Sequence, residues 1–237
     1  MKILDLLSKI YIIFPKHCPI CESSMNYGGL VCRTCQSKMT EYNKKRKCLQ
    51  CGRENDISVD AICKTCEKLK PEFDLANSVY RYEKEFQKAM LNLKFHSAYY
   101  KVKAFSALMC DAYIKLGVST DYVAAVPSTL KGLIKRGYNP PLEMALPMGR
   151  KLKIPVLTGA LLKIRPIKQQ SLMSGEERYR NVKGAYAVNK RYIKKIKGKS
   201  ILLIDDVITT GATSSECAKM LKKAGAEAVY VITFLAS

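Results

Sequence analysis

No apolar run in this 237-residue chain approaches the length needed to cross a bilayer, so a helical membrane span is not expected. The apolar opening stretch, MKILDLLSKIYIIF, is interrupted by Asp5, Ser8 and Lys9, and no small-residue cleavage site precedes Pro15. It therefore reads as an amphipathic helix packed on the protein, not as a signal peptide, and a cytoplasmic location is the expectation. Acidic residues are few: 20 Asp and Glu stand against 41 Lys and Arg, a formal charge of +21. Histidine is scarcer still, with His17 and His96 the two in the chain. His96 lies at the end of a helical stretch and reads as an ordinary surface or packing residue.

Cysteine, in contrast, is abundant. Eight of the ten form four C-x-x-C pairs, Cys18/Cys21, Cys32/Cys35, Cys48/Cys51 and Cys63/Cys66. Two thiolates separated by two residues can hold one Zn²⁺ from a single tight turn, and a second pair completes a tetrahedral site. CPIC followed by CRTC recurs as CLQC followed by CKTC, an internal repeat. The simplest partition gives two Cys₄ zinc sites from consecutive pairs, although the spacing also allows interleaved pairing. Nothing marks secretion, which disfavours a disulfide framework, and four copies in a Gly-punctuated stretch do not resemble a thioredoxin unit. His17 is left without a metal role, because eight thiols already complete two sites. Cys110 and Cys217 fall on predicted helices without partners and read as buried hydrophobes.

Binding eight thiolates to two Zn²⁺ lowers the formal charge to about +17, still strongly basic. Residues 1–75 carry 13 Lys and Arg against 9 Asp and Glu, while residues 76–237 carry 28 against 11. The excess thus lies outside the cysteine-rich part. Within 131–199 there are 18 basic and 3 acidic residues, a balance that favours a diphosphate or a nucleic acid. Aromatic interleaving is sparse, so a solubilising basic surface explains the same composition equally well.

The densest chemistry lies in ILLIDDVITTGAT, residues 201–213. Ile201 to Ile204 form an unbroken apolar run, as in a strand buried on both faces of a parallel sheet. Asp205 and Asp206 follow at its carboxyl end, the edge at which open α/β sheets bind ligands. Thr209, Thr210, Gly211, Ala212 and Thr213 are small or hydroxylated, so backbone N–H groups can approach a phosphate at a helix start. Cys217, Met220, Leu221 and Ala224 then supply one apolar helix face, Gly225 a stop, and Ala228–Leu235 another strand. No Lys follows the glycine, which disfavours a Walker-type P-loop and a nucleoside triphosphatase. The segment resembles the phosphoribosyl-diphosphate motif of type I phosphoribosyltransferases. That resemblance implies that Asp205 and Asp206 hold the ribose 2′- and 3′-hydroxyls while Thr209 to Thr213 hold the 5′-phosphate.

Between the two regions, Lys70-Pro71-Glu72 reads as a boundary, giving a zinc-ribbon module over 1–75 and an α/β domain over 76–237. The pattern predicts a strand at 77–82, helices at 85–95 and 102–116, a short buried strand at 122–126, a helix at 142–152 that Pro147 should end or kink, and a strand at 155–162. Strands alternating with helices imply a mostly parallel sheet. After the strand at 122–126, Ser128, Thr129, Lys131, Arg136, Gly137 and Asn139 form a donor-rich loop, and in phosphoribosyltransferases a loop at this place grips the pyrophosphate. Residues 165–182 show no sustained period and read as a long mobile loop. Its closure would bring Lys168, Arg178 or Arg180 over a diphosphate, exclude water and neutralise a leaving group.

Taken together, the paired cysteines, VPSTLKGLIKRGYN, the stretch from RPIKQQSL to RYRNVKGAY, and LLIDDVITTGAT resemble the ComF family over nearly the whole chain. One departure is Pro140-Pro141 after Asn139, where the family is polar, which argues against a helix starting there. The resemblance implies a zinc module preceding a type I phosphoribosyltransferase-like, Rossmann-like domain, with phosphoribosyl diphosphate and Mg²⁺ as ligands. It also implies a part in natural competence, with single-stranded DNA and competence-machinery proteins as partners. An active phosphoribosyltransferase of unknown acceptor, with Asp205, Asp206 and Arg136 as its catalytic groups, and a non-catalytic ligand-responsive regulator are the alternatives. Because the last strand runs to the end of the sequence, a base pocket is expected from residues 76–120 or from the zinc module.

Overall fold

The computed structural model describes residues 16–26, 28–55, 61–95, 100–168 and 173–237, with backbone only at Lys16, Lys94, Phe95, Lys131 and Lys135. The expected N-terminal helix and His96 lie outside the described residues. Four strands form one sheet: β3 (Leu75–Arg81), β4 (Tyr122–Ala125), β7 (Ser200–Ile208) and β8 (Ala228–Ala236). Their order is β3-β8-β7-β4 and every pairing is parallel. Successive side chains of β7 go to opposite faces, and both faces are covered. Leu202 and Ile204 share a core with helices α3 (Lys84–Phe95), α4 (Lys101–Leu116) and α6 (Pro140–Leu152), where Phe105 stacks on Phe234 of β8 at 4.0 Å. Ile201 and Leu203 pack with Cys217, Ala218 and Leu221 of α9 (Ala212–Lys223). An apolar run without alternation is what a strand covered on both sides requires.

The cysteine pairs are resolved as consecutive, Cys18/Cys21/Cys32/Cys35 and Cys48/Cys51/Cys63/Cys66. The repeat is structural as well: the second pair of each set opens a helix, α1 (Arg33–Lys44) after Cys32 and α2 (Lys64–Leu69) after Cys63. Before the first set's second pair, β1 (Lys16–His17) and β2 (Ser24–Met25) make a small antiparallel ribbon. The two units straddle the sheet's β3 edge. Cys18, Ile20, Met39 and Tyr42 join the core on one face, and Cys48, Cys51 and Cys66 join the core on the other. A parallel sheet's open edge is thereby closed by a metal-binding module instead of another strand. Lys101, fully buried, ties the first unit to α4 through a 2.9 Å ion pair with Glu22, whose carboxyl it holds below the usual range.

The second unit touches the edge strand through backbone: Ala76 N–H donates to Gln50 O at 2.7 Å. Gly52, at φ +66°, lies so close that an added Cβ would stand 2.3 Å from Ala76 O. Left-handed backbone and overpacking together cost about 3 kcal/mol on substitution. Gly52→Ala is therefore expected to lower the melting temperature of zinc-loaded protein by about 6–12 °C, measurable by circular dichroism. An unchanged midpoint would show that this docking contributes little.

Several expectations are corrected. The run from Thr129 is not a loop: Leu130–Arg136 is helix α5, because the Thr129 side chain caps it by accepting from Gly132 N–H at 2.9 Å. Helix α6 starts at Pro140, not Leu142, since prolines in the first turn forfeit no intrahelical hydrogen bond. It also runs on through Pro147 to Leu152. The strand expected at 155–162 reduces to a bridge between Val156 and Val123, followed by the Gly159 turn and a separate strand β5 (Leu161–Lys163). That strand pairs antiparallel with β6 (Tyr186–Val188). Between them the expected mobile loop is partly helix: α7 spans Gly175–Val182 and carries Arg178 and Arg180. A full capping box, Ser174 with Glu177, starts it. That Ser-x-x-Glu signal is visible in the sequence. Residues 169–172 lie outside the described residues. The remaining connection before β7 is a turn of 3₁₀ helix (Lys190–Tyr192) and α8 (Ile193–Ile196).

Candidate functional site

The sheet's topology gathers the acids and the small-residue loop at one edge. β4 pairs with β7 as far as Ile204, and Val126 N–H still donates to Ile204 O at 2.9 Å. β8 accompanies β7 farther, to Ile208. Asp205 and Asp206 thus emerge where the β4 side of the sheet ends, two residues before β7 itself does. Asp205 is nearly buried; its Oδ1 accepts from Asp206 N–H at 2.9 Å and its Oδ2 from Ser214 Oγ at 3.4 Å. Asp206 is half-buried. The first carboxylate therefore fastens the strand end to helix α9, and the second sits nearer the surface.

Thr209 and Thr210 lead to Gly211, whose φ of +80° turns the chain into α9. Gly211 has no side chain to cap that helix; Thr210 Oγ1 accepts from Ala212 N–H at 3.4 Å, and the first-turn N–H groups that follow are offered toward whatever lies above the loop. The turn is held from behind. Phe73, 1% exposed, would meet a Cβ at Gly211 at 3.2 Å, and Glu72 N–H donates to Ser215 Oγ at 3.0 Å. Tyr179 Oη of α7 donates to Thr210 O at 3.5 Å, and Lys68 of α2 pairs with Glu176 of α7 at 2.7 Å. Neither Phe73 nor Tyr179 carried a sequence signal, since each acts only through a contact between distant segments.

Across β7, the β4 end carries the second cluster. Arg136 Nη2 donates to Ser128 Oγ at 3.1 Å, Ser128 Oγ donates to Asn139 Oδ1 at 2.6 Å, and Asn139 Nδ2 donates to Val126 O at 3.0 Å. Gly137 ends α5 at φ +77° and returns the chain to Asn139. Arg136 Nε is buried without a partner, an arrangement that leaves a cationic donor unsatisfied unless an acceptor arrives. Lys131 belongs to α5 by its backbone. The three cations expected on a closing loop separate: Lys168 N–H and O are both engaged by the Asn181 side chain, Arg178 Nε donates to Met173 O at 3.1 Å, and Arg180 rides on α7. Burial pulls the Lys163 amine down and pushes the Tyr186 phenol up.

The cysteine clusters fit zinc. In each set all four Sγ atoms lie within 4.8 Å of one another, with Cys21 and Cys32 at 3.5 Å and Cys51 and Cys63 at 3.8 Å. Four sulfurs about 2.3 Å from a central Zn²⁺ stand about 3.8 Å apart, and thiolates are the donors that ion takes. Crowding splits the thiols into ones that ionise more readily and ones that hold their protons. The hydrogen bond with Cys35 draws the Cys18 thiol down to about 4 while pushing Cys35 up, and Cys66 does the same for Cys51, helped by Arg53. Arg53 Nε lies 3.3 Å from Cys51 Sγ, and Cys32 and Cys63 N–H groups donate to Cys18 and Cys48 Sγ at 3.4 and 3.3 Å.

Comparison with known proteins supplies the remaining observation. The double zinc ribbon domain matches residues 10–67 and the phosphoribosyl transferase domain matches residues 162–237. The DNA utilization protein YhgH of Escherichia coli (strain K12) is 27% identical over 223 residues, covering 92% of this chain and 95% of that protein. Competence protein F of Haemophilus influenzae is 26% identical over 230 residues, covering 92% and 96%. Over nearly its whole length the chain is similar to proteins of the ComF family. Competence protein ComFC of Bacillus subtilis is 26% identical over 215 residues, 87% of this chain and 84% of that protein. The ComF architecture, two Cys₄ zinc ribbons ahead of a type I phosphoribosyltransferase-like fold with a parallel sheet, is the one described above. Among the described residues no helix is long and apolar enough to cross a membrane.

Proposed function

We propose that this ComF-like protein binds phosphoribosyl diphosphate and serves the handling of single-stranded DNA during natural competence, in the cytoplasm. The observation that supports the ligand is the unpartnered, buried Nε of Arg136, held by Ser128 at the β4 end beside the acids of β7 and the N-terminus of helix α9. One ligand that meets a cation on the β4 side, hydroxyl acceptors on β7 and helix N–H groups beyond is a pentose bearing a 5′-phosphate and a diphosphate. Asp205 and Asp206 accept from the ribose hydroxyls, Thr209 to Thr213 receive the 5′-phosphate, and Ser128, Thr129, Lys131, Arg136, Gly137 and Asn139 receive the diphosphate. A Mg²⁺ accompanying the diphosphate would be met by oxygen donors such as Asp205 and Asp206 and would offset the ligand's charge. Lys168, Arg178 and Arg180 remain the cations nearest in sequence to a closing segment. The division into 1–75 and 76–237 belongs to this reading, with Glu72 and Phe73 as the junction that braces the phosphate loop.

Loss of pyrophosphate from ribose C1 builds positive charge on the sugar and negative charge on the leaving group, so the same acids and Arg136 would stabilise a transfer reaction. The DNA role is supported by the names of the relatives and by the basic excess of residues 131–199. Calorimetric titration of zinc-loaded protein with phosphoribosyl diphosphate and Mg²⁺ tests the ligand. Saturable binding with a rise in melting temperature of about 5 °C or more at 100 times Kd is expected. Absence of binding by folded, metal-loaded protein refutes it. Pyrophosphate release with a panel of nucleobases then separates an enzyme from a regulator.

A further inference from the structure

On the other side of β7 from Arg136, the carboxyl ends of β3 and β8 open into a second cavity of about 640 Å³, walled by the zinc ribbons. It lies at the ligand-binding edge of the same sheet, yet no motif reaches it. Ser237 borders it, and its N–H donates to Ile208 O, the last residue of β7. Two neutral polar groups in its wall have no partner among the described residues: the hydroxyl of Tyr42, a residue 3% exposed, and the side-chain Nδ2 of Asn55. They come from different parts of the ribbon module, Tyr42 from helix α1 and Asn55 from the stretch that follows Cys51. Unsatisfied buried donors are destabilising in the free protein, and two converging on one cavity point to an occupant with hydrogen-bond acceptors.

The rim narrows the class. Lys64 and Arg81 stand there as exposed cations, Arg81 with its Nε and Nη1 turned to Glu83 and Glu54, and the half-exposed ring of Tyr82 lies beside Arg81. Arg53 spans the inner wall from the Cys51 thiol to Ser237 O at 3.2 Å and is thereby held in place. Glu54 is engaged by Arg81 at 3.5 Å and Lys45 at 3.9 Å, so its charge is largely answered. Inorganic phosphate would satisfy the rim and leave both buried donors unmet. A neutral heterocycle alone would do the reverse.

We infer that this cavity is a binding site for a nucleoside 5′-monophosphate unit, the base directed to Tyr42 and Asn55, its face against Tyr82 and its phosphate at Arg81 and Lys64. The site is separate from the pentose cradle and does not rest on that reading. The unit could be a free nucleotide or one nucleotide of a single strand, and the recognising chemistry is the same. Isothermal titration of the full zinc-loaded chain with thymidine 5′-monophosphate and deoxyadenosine 5′-monophosphate tests it, with thymidine and inorganic phosphate as the dissected halves. Saturable binding is expected for at least one monophosphate and binding about tenfold or more weaker for either half. Tyr42→Phe and Asn55→Ala should each weaken the monophosphate about tenfold, while Tyr42→Phe leaves the melting temperature of the free protein unchanged or higher. Asp206→Asn should leave nucleotide affinity unaltered. If a short oligothymidylate competes and carries the same Tyr42→Phe penalty, the nucleotide belongs to a strand; if it does not compete, the ligand is the free nucleotide. No binding at about 1 mM, binding indifferent to both wall variants, or binding lost with Asp206→Asn would overturn the inference.

Discussion

Removing zinc from the second ribbon is expected to unfold that ribbon and, with it, to loosen the phosphate loop at 209–213, far along the chain from Cys66, the last cysteine of that set. A structural zinc site contributes about 10–16 kcal/mol of apparent binding free energy, comparable to the whole stability of a typical domain, about 5–15 kcal/mol. Cys48, Cys51, Cys63 and Cys66 hold the knuckle that hydrogen-bonds Ala76 on the sheet edge and the helix α2 that pairs with α7. From there the chain runs directly to Glu72 and Phe73, which brace Ser215 and Gly211. Cys66→Ser should therefore reduce bound zinc from two per chain to one and accelerate amide exchange in residues 72–76 and 209–215. It should also weaken phosphoribosyl diphosphate. Cys18→Ser, in the unit whose neighbours are α4 and the opposite core, should leave exchange at 209–215 near the native rate. Colorimetric zinc release and hydrogen exchange read both outcomes. Equal loosening of 209–215 by the two variants would show that the metal acts through global stability alone.

Charge removal at the paired acids should separate binding from architecture. Asp206→Asn is expected to lose about 3 kcal/mol of affinity for phosphoribosyl diphosphate, on the order of 100-fold, because hydrogen bonds to a charged acceptor are the strong ones. Its melting temperature without ligand should hardly change, since the residue is half-buried at the strand end. Asp205→Asn should lose binding too, but through position as well as charge. Its two oxygens accept from Asp206 N–H and Ser214 Oγ, and an amide can offer only one acceptor to that pair. A stability loss of about 1–2 kcal/mol is expected in addition. Thermal unfolding with and without ligand distinguishes the two. Native affinity in Asp206→Asn would remove the carboxylate pair from the site.

Local pattern was enough wherever one segment carries its own reason to fold. The apolar run 201–204 announced a doubly covered strand, the C-x-x-C repeats announced two Cys₄ clusters, and the small Thr-Gly turn after Asp205-Asp206 announced a strand end and a helix start. Expectations failed where a local signal was outweighed or overlooked. The polar run 165–182 lacks a period over its length, yet Ser174 and Glu177 cap a helix within it. Pro140-Pro141 looked like an obstacle and proved to be a helix start, and Pro147 did not end α6. The cations around Lys131 suggested a loop, while Thr129 closed a helical turn over them.

What the sequence by itself determined is the chemistry: eight thiols in four pairs, two adjacent carboxylates after an apolar strand, a small-residue turn, and a basic surplus outside the cysteine region. Residue type and short spacing suffice for these, because the ligand atoms come from a single turn or strand end. Only the tertiary structure decided which cysteines share a site, that the ribbons clamp the β3 edge, that Phe73 supports Gly211, and that Tyr42 and Asn55 share a cavity at the ends of β3 and β8. Each of these joins residues far apart along the chain through burial and backbone contact, which no local periodicity encodes.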